Sequence, residues 1–302
     1  MYRDFTICVV CPAGRKRYLE LLIPQVLGYG HVVDEFRMWV NTKDQGDIEY
    51  IQHMSDIHPK ITCEYHVKEY GIMNNTTICH FFKNTIDTNT IYVRFDDDIV
   101  LIDSLENFKK FLDFRIDNPE YFLVFANILN NAVTSHLHQR AGSIEYDKII
   151  NYSSICEVGL RDPKLAEKIH TTILDAGCDL SSFKSLSDWI CMYYERVSIN
   201  CISWFGKEFI HFHGHVGDDE ELWLTTVKPK ELQRPNVIYH GYNIVHYAFG
   251  GSQRDYLDTT NILGRYRSFV LAIKPKVVVK KRQGDIVGQL IKTFDNNLYV
   301  SD

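Results

Sequence analysis

The chain has 302 residues, 45% of them hydrophobic, enough to bury a substantial core at the upper edge of what one core serves. Lys and Arg number 33 against 39 Asp and Glu, a formal net charge of −6 that excludes the global basic field needed for non-specific nucleic-acid binding. No apolar run approaches bilayer length and nothing repeats at a fixed period, so no transmembrane segment, solenoid or disordered tail is expected. The eight cysteines are scattered, several inside apolar runs, which reads as buried reduced thiols. With a first apolar run too short for a signal peptide, the expectation is a soluble, intracellular, cytoplasmic protein.

Residues 5–10 are an apolar run of strand length, broken by Cys11-Pro12-Ala13-Gly14 before residues 15–27, where Tyr18, Leu19, Leu22 and Ile23 recur at helical spacing. Residues 35–40 predict a second strand ending at Asn41-Thr42, 48–57 a helix, and 61–67 a third, alternating strand. A helix over 74–83 and a fourth strand over 90–95 follow, the strand running straight into Asp96. Residues 105–115 read as a helix that Asp117-Asn118-Pro119 stops, and 121–125 begin another strand. This alternation predicts a mostly parallel sheet whose ligands bind at the carboxyl ends of its strands. From 130 to about 182 the pattern loosens into a polar stretch with one helix at 163–174, read as a variable substrate-binding region. Beyond it the expectations are a helix at 186–195, a strand at 199–205, a His-rich stretch at 211–215, an acidic run at 218–221 leading a helix, and a strand at 237–239. The tail at 269–279, apolar and then basic, suits an edge strand or a surface arm.

Three consecutive carboxylates, Asp96, Asp97 and Asp98, repel one another and raise each other's pKa unless a cation sits among them. Mg²⁺ or Mn²⁺ suits such oxygens and fills its remaining positions with water and substrate phosphate. Asp96 and Asp98 share a side if strand geometry persists, so one ion could reach both. The stretch Ile91-Tyr-Val-Arg-Phe-Asp-Asp-Asp-Ile-Val resembles the Asp-x-Asp motif of GT-A glycosyltransferases, which use a metal to bridge carboxylates and the diphosphate of a nucleotide-sugar. The likeness covers residues 5–265 as an order of elements, but only the three aspartates are a specific motif.

The resemblance implies an α/β fold of the GT-A, Rossmann-like kind: a mostly parallel central sheet flanked by helices, with a C-terminal acceptor-side subregion. Residues 1–130 would form the nucleotide-sugar half of one catalytic domain, 131–268 the acceptor half, and 269–302 an extension. It implies Mn²⁺ or Mg²⁺ on Asp98, on Asp96 (which could instead hold the ribose), and on a C-terminal histidine, best supplied by His246 and next by His240. It makes Pro12, Ala13, Gly14 and Arg15 the loop that grips the nucleoside; no P-loop or dinucleotide glycine pattern is present there.

Arg15, Lys16 and Arg17 lie near a helix start, which favours phosphate, with Arg15 nearest the loop. Arg94 shares the alternation of Asp96 and Asp98 and could neutralise Asp97 and its neighbours or reach the diphosphate. Asn41, Thr42 and Asp44, with Gly71, Asn74 and Asn75, should open onto the same sheet edge, where they would suit base and sugar, though ordinary turn and cap chemistry explains them more readily. Arg254, in the polar stretch Gly250-Gly251-Ser252-Gln253-Arg254-Asp255-Tyr256, could sit on a lid over the diphosphate. Asp219 or Glu220, at a helix start, resembles the base of inverting GT-A enzymes, which removes the acceptor hydroxyl's proton. His211, His213 and His215 alternate, and on a strand would share a face as a rival metal site.

The reading is a metal-dependent transfer from a nucleotide-sugar, UDP-sugar by resemblance, to a hydroxyl of a glycan, protein or lipid, with inversion. Its rivals are a sugar-phosphate nucleotidyltransferase and a non-catalytic carbohydrate- or metal-binding protein.

Overall fold

The computed structural model describes residues 1–65, 75–151, 155–183 and 187–272. Within them nine strands form one sheet: β1 Thr6–Ala13, β2 Glu35–Val40, β3 Ile61–Tyr65, β4 Thr90–Phe95, β5 Ile99–Ile102, β6 Val124–Leu129, β7 Trp189–Ile190, β8 Cys201–Phe205 and β9 Val237–His246. Their spatial order is β3-β2-β1-β4-β8-β6-β9-β5, with β7 also on β9. β3, β2, β1 and β4 are mutually parallel; β8 runs against β4 and β6, β6 and β9 are parallel, and β5 and β7 oppose β9. Most strands therefore share one direction, as expected, and the reversed strands β5, β7 and β8 all come after β4 in the chain.

The central strands are recognisable because parallel strands covered on both faces need continuous apolar side chains. Ile7, Cys8, Val9, Val10 and Cys11 of β1 are all buried, and every residue of β4 is buried, Arg94 included. Helices flank the sheet: α1 Lys16–Gly28, α2 Gln45–Ile57, α3 Leu105–Asp117, α4 Ala132–Arg140, α5 Pro163–Asp175, α6 Gly206–Ile210, α7 Glu220–Leu222, α8 Lys228–Leu232, α9 Gly250–Leu257 and α10 Ile262–Ala272. Their starts follow the chain's capping residues: Asp44 accepts from Asp47 N (3.0 Å), Ser104 from Asn107 N (3.2 Å), and Asn131 from Val133 N (3.0 Å). A second apolar cluster, with Tyr18, Leu129, Leu165, Ile169, Tyr247 and Tyr266, ties α1, α5 and α10 to the ends of β6 and β9.

Several expectations are corrected. Cys11, Pro12 and Ala13 do not break β1 but extend it, because Pro12 pairs with Trp39 and Ala13 O still accepts from Asn41 N at 2.9 Å; the turn falls at Gly14. Asn75–Asn84 is a 3₁₀ rather than an α-helix, and its buried pairs Ile78/Phe81 and Cys79/Phe82 recur every three residues, the 3₁₀ period. Of the helix expected at 186–195, the described residues 187–195 form none: Trp189 and Ile190 pair with Ile238 and Val237, and Cys191 N donates to Asn236 O at 2.9 Å. The open edge of β9 captured this segment, an influence that periodicity cannot register. The strand expected at 237–239 is ten residues long and reaches His246, and α4 went unanticipated. The stretch from Gly250 is not a loop lid but the ordered helix α9. The alternating histidines are not on a strand: they follow α6 in a turn where His213 takes φ 54°, and all three side chains are exposed, so they share no buried face. Gly71, Asn74 and the tail beyond 272 lie outside the described residues. The seven cysteines whose side chains are described are free thiols, and no described helix is long and apolar enough to cross a membrane.

Candidate active site

The carboxyl ends of β1, β4, β6 and β9 lie along one edge of the sheet, and the antiparallel β8 brings its amino end there too. A cleft of about 920 Å³ opens at this edge, lined by residues from the ends of β1, β4 and β9, from the segment entering β8, and from α7 and α9. Pro12, Gly14, Arg15, Asn41, Arg94, Asp96, Asp97, Asp98, Asp219, Glu220, His246 and Arg254, widely separated in the chain, all line it.

Asp96, Asp97 and Asp98 do different work because the strand ends in a turn, with Ile99 N donating to Asp96 O at 3.2 Å. Asp97 ties the first loop to the fourth strand: its Oδ2 accepts from Gly14 N (2.9 Å) and its Oδ1 from Arg15 Nε (2.9 Å). Gly14 itself is closely packed, since a Cβ there would lie 3.0 Å from Asn41 O and 3.2 Å from Thr42 Cβ. Burial raises the Asp97 pKa against the opposing pull of Arg15.

Asp96 is held on both oxygens, Oδ1 by Arg94 Nε (3.0 Å) and Nη2 (2.8 Å), and Oδ2 by Asn200 Nδ2 (2.9 Å). Arg94 is 3% exposed and also reaches Glu220 Oε1 at 3.0 Å, so one guanidinium joins the acidic cluster to the start of α7. Burial drives the Glu220 pKa up to about 7 despite the lowering effect of Arg94. Asp219 has a different place: it caps α7 through Leu222 N (3.0 Å) and pairs with Arg196, half exposed.

Asp98 carries the densest contacts. Its Oδ2 receives Arg15 Nη1 at 3.0 Å, Arg254 Nη2 at 3.0 Å and His246 Nε2 at 3.4 Å. Burial opposes ionisation, yet His246, then Arg15 and Arg254, hold the Asp98 pKa well below the usual carboxylate range. His246 Nδ1 faces Asn130 O at 2.9 Å and must donate to it, so Nε2 is the nitrogen turned to the site. Asn130 achieves this in the left-handed region, φ 61°, anchored by its own amide to Tyr247 O (2.9 Å) and Gln253 Oε1 (3.2 Å). Burial disfavours the imidazolium, but Asp98 outweighs it and the His246 pKa is raised.

Four buried polar atoms on cleft-lining residues have no partner: Asp98 Oδ1, Glu220 Oε2, Arg94 Nη1 and Arg254 Nε. Such atoms cost free energy unless a ligand or water satisfies them, so these four are donors and acceptors that a ligand in the cleft could meet.

Not every expected residue joins the site. Lys16 N donates to Asp47 Oδ1 (2.8 Å) and Arg17 pairs with Asp258 (2.8 Å). Asp44 serves as the cap of α2, and His240 is exposed on Asp188; Asn41 lines the cleft while its Oδ1 accepts from Thr77 Oγ1 (2.8 Å). Ala13, also expected in the site, is buried in the core and does not line the cleft. The residues that sequence reasoning missed are Asn200, Arg196, Phe249 and Asn130. Nothing local distinguishes Asn200; only the antiparallel insertion of β8 beside β4 carries it to Asp96.

Among the described residues no cluster of three or more His, Cys, Asp and Glu forms a metal cage. A divalent ion shared with a substrate diphosphate needs only one or two protein carboxylates, however. Asp98, with its unpartnered Oδ1, and the nearby His246 Nε2 fit that smaller set, whereas both oxygens of Asp96 are occupied by protein donors. No protein-family profile matches the chain, and no curated protein matches it in sequence.

Proposed function

We propose that the chain is a metal-dependent glycosyltransferase of the GT-A kind, transferring a sugar from a nucleotide-sugar, by resemblance a UDP-sugar, to an acceptor hydroxyl. The observation that carries this reading is the pairing of functions in one cleft: a cation-rich aspartate at the strand edge and, across the Arg94 bridge, a buried carboxylate with a free oxygen and a pKa near 7. Asp98 and His246 would hold Mn²⁺ or Mg²⁺, and the ion, when bound, supplies Lewis-acid stabilisation of diphosphate charge.

In the proposed reaction Glu220 Oε2 takes the acceptor hydroxyl's proton as that oxygen bonds to the anomeric carbon. The anomeric carbon–phosphate oxygen bond breaks, and its electron pair leaves with the nucleoside diphosphate. Arg15 and Arg254 face the developing charge. Arg94 keeps Glu220 ionisable in a site that would otherwise leave it protonated. Direct attack with such a base favours inversion. A nucleotidyltransferase fits less well, because its phosphate nucleophile is already anionic and gains nothing from a buried base.

The test is thermal unfolding with a panel of nucleoside diphosphates and their sugars, with and without Mn²⁺, beside Asp98→Ala. Metal-dependent stabilisation by one base's nucleotides, lost in Asp98→Ala, supports the reading and names the donor's base. No response to any nucleotide sinks it.

A further inference from the structure

Asp98 is 3% exposed, while the two arginines on it are 35% and 26% exposed, so Arg15 and Arg254 are the layer between solvent and this carboxylate. Both guanidiniums contact the same oxygen, Oδ2, each at 3.0 Å. Asp96 and Asp97 are likewise neutralised by Arg94 and Arg15. At Asp98 itself a single carboxylate already faces two guanidiniums and the His246 imidazole, so its own charge is locally compensated. A divalent ion entering alone would add two positive charges beside guanidiniums already in place, with little compensation in a medium of low dielectric.

We propose that Arg15 and Arg254 form a latch over Asp98, so that a divalent cation binds tightly only when a diphosphate draws the two guanidiniums off the carboxylate. This rests on the donor-and-metal reading above. The latch can open without backbone movement, because both side chains are long and each keeps a second anchor. Arg15 Nε holds Asp97 Oδ1 at 2.9 Å, and Arg254 Nη2 holds Ala248 O at 3.0 Å. Arg254 Nε, buried and without a partner, is a ready donor for a phosphate oxygen, and guanidinium forks bind phosphate in bidentate fashion. As the guanidiniums turn to the diphosphate, Asp98 Oδ2 is uncovered beside its unpartnered Oδ1. Cation and diphosphate each remove the other's penalty, so each strengthens the other's binding by the same factor.

The experiment titrates the full chain with Mn²⁺ alone, reading free Mn²⁺ by electron paramagnetic resonance, and compares wild type with Arg254→Gln, Arg15→Gln and Arg254→Lys. Thermal unfolding with Mn²⁺, inorganic pyrophosphate or both measures the coupling and confirms that each variant folds. The glutamine variants should bind Mn²⁺ alone roughly tenfold more tightly than wild type, with the synergy with pyrophosphate reduced by a similar factor, while the charge-retaining Arg254→Lys stays near wild type. Glutamine variants that bind Mn²⁺ alone no better than wild type overturn the latch, as does wild type binding Mn²⁺ equally well with and without pyrophosphate. Synergy and its loss in the variants, with no nucleotide-sugar transferred, would uphold the latch and reject the transferase reading.

Discussion

Glu220→Gln separates stability from activity in a way the structure fixes in sign. Glutamine keeps the shape and an oxygen for Arg94 but cannot ionise. Burial raises the Glu220 carboxyl from 4.5 to about 7, so the folded chain binds this proton more tightly than the unfolded one. Stability from this group is therefore fully present below pH 4.5 and lost as pH rises through about 7. At 1.36 kcal/mol per unit, the ionised side chain costs the fold about 3 kcal/mol relative to its neutral form. Urea unfolding of both proteins across this range should show wild type falling behind Glu220→Gln by up to about 3 kcal/mol as pH rises, and level with it in acid. Transfer should show an acid limb with an apparent pKa near 7 in wild type, and Glu220→Gln should lose a factor of about 10² to 10⁴. A stability difference that stays flat with pH would mean that the Arg94 pairing cancels burial, and wild type gaining as pH rises that it outweighs burial; in either case the base assignment would fail.

Asn200→Ala frees Asp96 Oδ2 and should weaken nucleotide binding, with a stability loss of about 1 kcal/mol in urea titration. Gly14→Ala places a Cβ 3.0 Å from Asn41 O, and should reduce diphosphate affinity in calorimetry by displacing the loop that Asp97 holds. Replacing His211, His213 and His215 together by alanine should change stability by less than about 0.5 kcal/mol and leave Zn²⁺ and Mn²⁺ responses unchanged, since all three are exposed on a turn. Asn130→Gly keeps the left-handed turn that presents its carbonyl to His246 and should retain metal-dependent stabilisation, whereas Asn130→Val should lose it.

By itself the sequence determined the alternation of strands and helices through β4, because continuous apolar runs and capping residues are local signals. Residues 35–40 and 90–95 were expected as strands with the bounds that β2 and β4 have, and the three aspartates were expected at a strand's carboxyl end. His246, Arg15, Arg94, Arg254 and Glu220 were legible as candidates by residue type and position, but their partners were not. Only the tertiary structure decided that Asp96 is bound by Arg94 and Asn200, Asp97 by the first loop, and Asp98 by two arginines and a histidine. Those assignments depend on β8 inserting antiparallel beside β4 and on α9 folding where a loop was expected, contacts between residues more than a hundred positions apart. The misread segment at 186–195 has the same cause. Periodicity reports which face of an element is apolar, whereas the partner that covers that face, or pairs with a strand's open edge, is chosen by the rest of the chain.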